Sequence, residues 1–245
     1  MTQYNFDNII DRHGTSAVKI DRLDAVFGRH DLTPLWIADL DFAVCPEITA
    51  ALSRRLAHPV LGYSEASESY WQAIIDWNLR HHGFSIARNE LAFVPGVVKG
   101  IALAVNFFTR EGDGVVIQPP VYTPFRTVVE GNNRKVIENP LIFDGDSYTM
   151  DLDGLRSVVA EHKPKMMVLC NPHNPIGIQW DADTLAELAA IAREAGMVVV
   201  SDEIHGDLML GGRRHIPFLS AGPDAEAVGI MLGAPSKTFN IPGLV

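Results

Sequence analysis

The stretch from Lys165 to Val200 restricts the fold of this chain more than any other. Lys165 to Cys170 is a short apolar run. Asp181 to Ala195 places Leu185, Leu188 and Ile191 on one face of a helix closed by Gly196, and Met197 to Val200 is apolar throughout. Short apolar runs bounded by turn signals read as buried strands, and apolar residues three or four apart read as an amphipathic helix. The same alternation extends to both sides. Leu91 to Val94 is expected as a strand, Val97 to Phe108 as an apolar helix, and Gly114 to Gln118 as a strand ended by Pro119-Pro120. Arg134 to Glu138 follows as a strand, Asp151 to Glu161 as a helix capped by aspartate, and Val228 to Leu232 as a last buried strand. Strands and helices in alternation predict an α/β fold with a mostly parallel sheet flanked by helices.

The first third of the chain obeys other rules. Residues 1–45 show little periodicity and are assigned to an incomplete small domain, with residues 46–245 forming the large one. From Pro46 a helix is expected with Ile48, Leu52 and Leu56 on one face until Pro59. A second, Glu65 to His82, carries Tyr70, Ile74 and Trp77 at helical spacing and ends at Gly83. Between residues 34 and 42 lies an apolar strip with Asp39 and Asp41 at alternate positions. Those carboxylates form either an acid–base pair or a device that orients backbone near a domain entrance, and the second reading is adopted.

Composition excludes several functions. The formal charge of -10 over 245 residues, with Arg54-Arg55 and Arg213-Arg214 as isolated basic pairs, is the wrong electrostatics for a nucleic-acid backbone. No apolar run approaches membrane-spanning length, and the first residues lack the pattern of a secretion signal. Two cysteines, Cys45 and Cys170, make no disulfide framework and no CxxC pattern, so a cytoplasmic protein is expected. Asp202, Glu203 and His205 lack a second histidine at ligand spacing, so no metal is expected.

Five places carry chemistry. Lys237 lies on the loop after the Val228 to Leu232 strand, where open α/β sheets bind ligands, and an amine shielded there can lose its proton and attack an aldehyde. A solvated loop lysine is the alternative. Gly96 stands where a strand hands over to a helix N-terminus, a natural anion cradle. Tyr122, just past a strand end, either stacks on a flat ligand or packs internally. Two Asn-Pro pairs from Asn171 to Pro175 fix a tight turn at a strand end, and Asp202 at another strand tip either meets a cation or caps a helix.

Taken in order, Pro95-Gly96-Val97-Val98, Val121-Tyr122-Thr123-Pro124-Phe125, Asn171-Pro172-His173-Asn174-Pro175-Ile176-Gly177, Ser201-Asp202-Glu203-Ile204-His205 and Ser236-Lys237-Thr238-Phe239-Asn240 resemble the motifs of the class I/II aminotransferase superfamily. These are fold type I enzymes that use pyridoxal 5'-phosphate. The strip from Trp36 to Phe42 and the variants ending in His205 and Ile241 are most similar to the carbon–sulfur β-lyase branch, the cystathionine β-lyase-like enzymes.

The resemblance implies roles. Lys237 joins the cofactor aldehyde and then moves the substrate Cα proton. Asp202 pairs with the protonated pyridine nitrogen, Asn174 bonds the ring's phenolic oxygen, and Tyr122, counted with Lys237 as catalytic, stacks on the ring. The N–H groups of Val97 and Val98 hold the phosphate. Tyr63 reaches the phosphate of a neighbouring subunit, which implies a homodimer. His205, a candidate cofactor contact, and Val245 stand where aminotransferases commonly carry tyrosine and arginine, which fits the lyase branch better. The implied substrate is a thioether amino acid such as cystathionine or a cysteine S-conjugate, cleaved to a thiol, pyruvate and ammonia. An aminotransferase and a non-catalytic cofactor-binding or interaction protein are the alternatives. Members of this family run on well past the position of Val245, so a fragment is expected, lacking a strand of the sheet and the arginine that grips the substrate carboxylate.

Overall fold

The computed structural model describes residues 4–244. Met1 to Gln3 of the N-terminal stretch, and Val245, lie outside the described residues. By internal contacts the chain divides into two compact units, one running up to Glu65 and taking in the residues from Pro235 onward, the other covering Ala66–Ala234. The boundary expected from sequence lies at residue 45; the Tyr4 hydroxyl donates to Glu47 across it at 3.2 Å.

In chain order the first unit contributes α1 (Val18–Asp21), α2 (Leu23–Phe27) and α3 (Pro46–Leu56). The second contains α4 (Glu68–His82), α5 (Val97–Phe108), β1 (Gly114–Ile117), α6 (Pro124–Gly131), β2 (Lys135–Glu138), β3 (Ile142–Phe143), β4 (Tyr148–Thr149), α7 (Leu152–His162), β5 (Met166–Cys170), α8 (Ala182–Ala195), β6 (Val198–Asp202), α9 (Pro223–Val228) and β7 (Gly229–Leu232). The chain then returns to the first unit in α10 (Pro235–Thr238). α4 begins later than its apolar spacing predicts because Ser67 caps it, accepting from the Tyr70 N–H at 3.3 Å. Its buried aromatic is Trp71, under the Arg88 guanidinium at 4.1 Å, while Tyr70 is exposed. No helix among the described residues is long and apolar enough to cross a membrane.

Five strands form one parallel sheet in the order β2-β1-β5-β6-β7, and β3 and β4 make a separate antiparallel hairpin. Side chains alternate across a strand, so β5 sends Met167 and Leu169 to one face and Met166, Val168 and Cys170 to the other. The first face packs under α7 and α8 through Leu155, Leu185, Leu188 and Ile191, with Phe218 beside them. The second packs under α5 and α6 through Val97, Ile101, Val105, Phe125 and Val129. Both faces are covered, which is why the central strands read as unbroken apolar runs.

Two expectations need correction. Leu91 to Val94 is not a strand: it has no ladder partner among the described residues, and a strand is defined by its neighbour. The last strand is half-buried rather than buried, because among the described residues β7 pairs only with β6 at the sheet's margin. Phe218 is 0% exposed in the larger core cluster. Phe218→Ala is therefore expected to lower the free energy of unfolding by about 3–5 kcal/mol, read from denaturant titration.

Candidate active site

Strand order sets a topological switch point between β1 and β5. The chain steps from β1 outward to β2 and then returns to the other side of β1 to lay down β5. Loops that leave the carboxyl ends of β1 and β5 therefore diverge, and at such a switch point α/β sheets bind ligands. The Tyr122 N–H, on the loop after β1, donates to the Asn174 carbonyl after β5 at 3.1 Å. The Asn174 N–H points back at the Cys170 sulfur at 3.2 Å. Asp202 closes the third side, paired in register with Cys170 across β5 and β6, and the Asn171 N–H donates to its carbonyl at 3.0 Å.

Alternation along β6 decides where Asp202 points. Val200 belongs to the α5 face and Val199 to the opposite one, so the Asp202 side chain shares the α5 face. It is 5% exposed, and its Oδ1 accepts the Ile204 N–H at 3.1 Å. Two neighbours sense its charge. Burial and the Asp202 carboxylate raise the Tyr122 phenol, and the same two causes push the Cys170 thiol up. Tyr122 is 38% exposed, with its ring edge-on to buried Phe125.

The N-terminus of α5 lies on the same face. Val97 is buried in the cluster that holds Cys170 and Val200, and Val98 is half-buried. The helix is preceded by Gly96 at φ +95°, a conformation that favours glycine, and no side chain caps it. One turn on, a Cβ at Gly100 would meet Leu232 and Val94 at 3.1–3.3 Å, so α5 approaches β7 closely. His205 follows Asp202 in a turn, half-buried, its carbonyl accepting the Leu208 N–H at 2.9 Å. His173, in the Asn-Pro turn, is buried, and burial drives its imidazole down to about 4 despite a bond to the Gln118 carbonyl.

The remaining candidates belong to the other unit. Lys237, in α10, is half-buried and donates from Nζ to the Ala38 carbonyl at 3.1 Å. Asn240 locks the same strip, accepting the Leu40 N–H at 2.9 Å and donating to the Leu40 and Phe42 carbonyls at 2.9 and 3.0 Å. Tyr63 is in an irregular segment and fully exposed. Tyr122, Asn174 and Asp202 are thus brought together within one unit, and Lys237 and Tyr63 fall in the other.

The strip's aspartates are held by cations. Asp39 receives Arg12 at 2.6 Å and Lys19 at 3.6 Å; Asp41 receives Lys19 at 2.7 Å and Arg12 at 2.8 Å. Burial would raise Asp39, but the Arg12 hydrogen bond and the two positive charges hold it below the ordinary carboxylate range; Lys19 and Arg12 do the same for Asp41. Ionised and occupied, they are poor proton carriers and good backbone clamps. Because the folded-state value is depressed, this stability is present above the unfolded value near 4 and lost as pH falls through the folded one. Asp39→Asn is expected to flatten the acid limb of unfolding below about pH 4, followed by denaturant midpoint against pH. Sequence reasoning found the aspartates and missed Arg12 and Lys19, which no periodicity marks.

A model of the aminotransferase class I and II family matches residues 30–244. Cystathionine beta-lyase PatB of Bacillus subtilis is 42% identical over 240 residues, covering 98% of this chain and 62% of that protein. Cystalysin of Treponema denticola, whose crystal structure contains pyridoxal 5'-phosphate, superposes with a TM-score of 0.94 at 33% identity over 99% of this chain and 62% of its own. The PLP-bound C-S lyase of Staphylococcus hominis gives 0.92 at 34% identity, with the same 99% and 62% coverage. The chain thus spans 62% of the length of each of these relatives.

Proposed function

This chain belongs to the class I and II aminotransferase family, and from that premise we propose that it is the cofactor-binding part of a pyridoxal phosphate-dependent carbon–sulfur β-lyase. The observation that carries the reading is the buried Asp202 carboxylate, close enough to Tyr122 to raise its phenol, at the strand ends where the Tyr122 N–H bonds the Asn174 carbonyl, on the sheet face covered by α5.

The residues present fit that cofactor. An uncapped helix start after a glycine suits a phosphate, because free N–H groups and the helix dipole favour an anion. A buried carboxylate suits a protonated ring nitrogen, which offsets the cost of its desolvation. Tyr122, with its phenol kept protonated, offers an aromatic face and a neutral donor. Asn174 supplies an amide for a ring oxygen, Val97 and Val98 supply phosphate-binding N–H groups, and His205 a further contact beside Asp202.

When bound, pyridoxal phosphate supplies an aldehyde for amines and a ring that withdraws electrons from the substrate Cα. Lys237 would supply the amine that holds the aldehyde, and its Nζ would take the substrate Cα proton as general base. Ala38 and Asn240 orient the Lys237 segment. The Asp202 carboxylate would hold a protonated ring nitrogen by charge. These roles suit the loss of a thiol from a thioether amino acid, with pyruvate and ammonia as the other products.

The relatives named as lyases motivate the choice of a thioether amino acid, cystathionine or a cysteine S-conjugate. We assign Tyr63 to the phosphate site of a second subunit in a homodimer, a role its full exposure permits, and the protein to the cytoplasm, in keeping with the two free thiols. Pyruvate and thiol formed from cystathionine without any keto-acid acceptor support the lyase; a strict requirement for an acceptor would identify a transaminase instead.

A further inference from the structure

On the sheet face opposite Asp202 runs a buried polar chain that the proposed chemistry leaves unused. Strand alternation turns Ser201 to that face, and its hydroxyl donates to Glu203 Oε1 at 2.8 Å, where the Phe218 N–H also donates at 2.8 Å. Glu203 Oε2 lies 2.6 Å from His215 Nε2, and the two side chains are 4% and 2% exposed. His215 Nδ1 lies 2.8 Å from Gln179 Oε1. Gln179 donates from Nε2 to Asn171 Oδ1 at 3.0 Å and to the Trp180 carbonyl at 2.8 Å, and Asn171 Nδ2 donates to the Ile216 carbonyl at 2.9 Å.

These bonds have one direction. Both partners of the Gln179 nitrogen are acceptors, so the amide oxygen faces His215 and His215 Nδ1 carries a proton. The second proton of the pair lies between His215 Nε2 and Glu203. A network satisfied in a single sense, inside a core, resists rearrangement because any alternative strands a buried polar group.

The two ends of the chain are where the crevice is built. Glu203 follows Asp202 directly, and Asn171 both donates its N–H to the Asp202 carbonyl at 3.0 Å and opens the turn that bears Asn174. The imidazole also abuts the turn after Asp202: a Cβ at Gly206 would stand 2.8 Å from His215 Cδ2. His82 covers the His215 ring edge to face at 5.3 Å, and is itself 2.9 Å from Asp207. We infer that Glu203, His215 and Gln179 are positioning residues that tie the tip of β6 to the Asn171 turn, so that the Asp202 carboxylate and the Asn174 amide converge. This goes beyond the functional reading, because it concerns the crevice with or without a cofactor.

The test is Gln179→Leu in the full chain, which keeps the volume and removes the Gln179 bonds to His215, Asn171 and the Trp180 carbonyl. Without cofactor, amide exchange over residues 171–178 is expected to speed up by about tenfold while β1 and β5 keep their protection. With pyridoxal phosphate, the dissociation constant is expected to rise by about tenfold. The His215 Nδ1 proton should appear in wild-type spectra of nitrogen-labelled protein as a slowly exchanging resonance, and should vanish in the variant. Unchanged exchange over 171–178, a rise shared equally by the whole sheet, or an unprotonated Nδ1 in the wild type overturns the inference. The exchange and resonance arms use no cofactor, so their failure is distinct from a failure of the lyase reading, which the pyruvate assay tests.

Discussion

Lys237→Ala is expected to abolish thiol release from cystathionine or a cysteine S-conjugate, a loss of about 10⁴-fold or more. In the proposed reaction one side chain does two jobs, to hold the aldehyde and to move the Cα proton, and alanine can do neither. Lys237→Arg should rescue nothing, since a guanidinium keeps its proton at any working pH and cannot act as a base. The variant also separates chemistry from folding. Borohydride should fix the cofactor to the wild-type chain and leave it removable from Lys237→Ala, a result read by mass without turnover. The local fold should survive, because the Asn240 bonds to Leu40 and Phe42 remain when the Lys237 bond to Ala38 is gone. Thiol release at the wild-type rate in Lys237→Ala would eliminate the lyase proposal.

Asp202→Asn is expected to cost about 10²–10³-fold in thiol release while leaving the fold intact. The amide has nearly the same shape and can still accept the Ile204 N–H, but it brings no negative charge to a ring nitrogen. A second readout needs no cofactor. The Asp202 charge is one of two causes raising the Tyr122 phenol. Removing it should bring that titration down toward its ordinary value, with the burial contribution left in place. Ultraviolet titration of wild type against variant measures the difference. An unmoved Tyr122 would mean that Asp202 does not face the crevice.

The sheet was legible because its central strands are buried on both faces, so β5 and β6 announce themselves as apolar runs without any knowledge of their partners. Helix ends were legible where glycine closes them: Gly83 and Gly196 adopt the left-handed conformation expected of a C-terminal cap, at φ +68° and +62°. Leu91 to Val94 was misread since a strand is a relation between segments, and a short apolar run says nothing about its neighbour. Asp202 drew attention for a physical reason, the cost of placing a carboxylate at the tip of a buried strand. The residues that hold the surroundings in place were silent. Arg12 and Lys19 reach Asp39 and Asp41 from well upstream, and His215 reaches Glu203 from an aperiodic stretch, so only folding discloses what each one meets.

The two margins of the sheet are unlike. At β2 the strand begins with Lys135 and ends with Glu138, both exposed, and a charged rim of this kind discourages further growth. At β7 the sequence Gly-Ile-Met-Leu carries no charge at all and, among the described residues, pairs on one side alone. Extension of this sheet by another stretch of polypeptide, whether from the same molecule or a different one, is therefore directed to β7, and any edge-to-edge clumping of the isolated chain should start there.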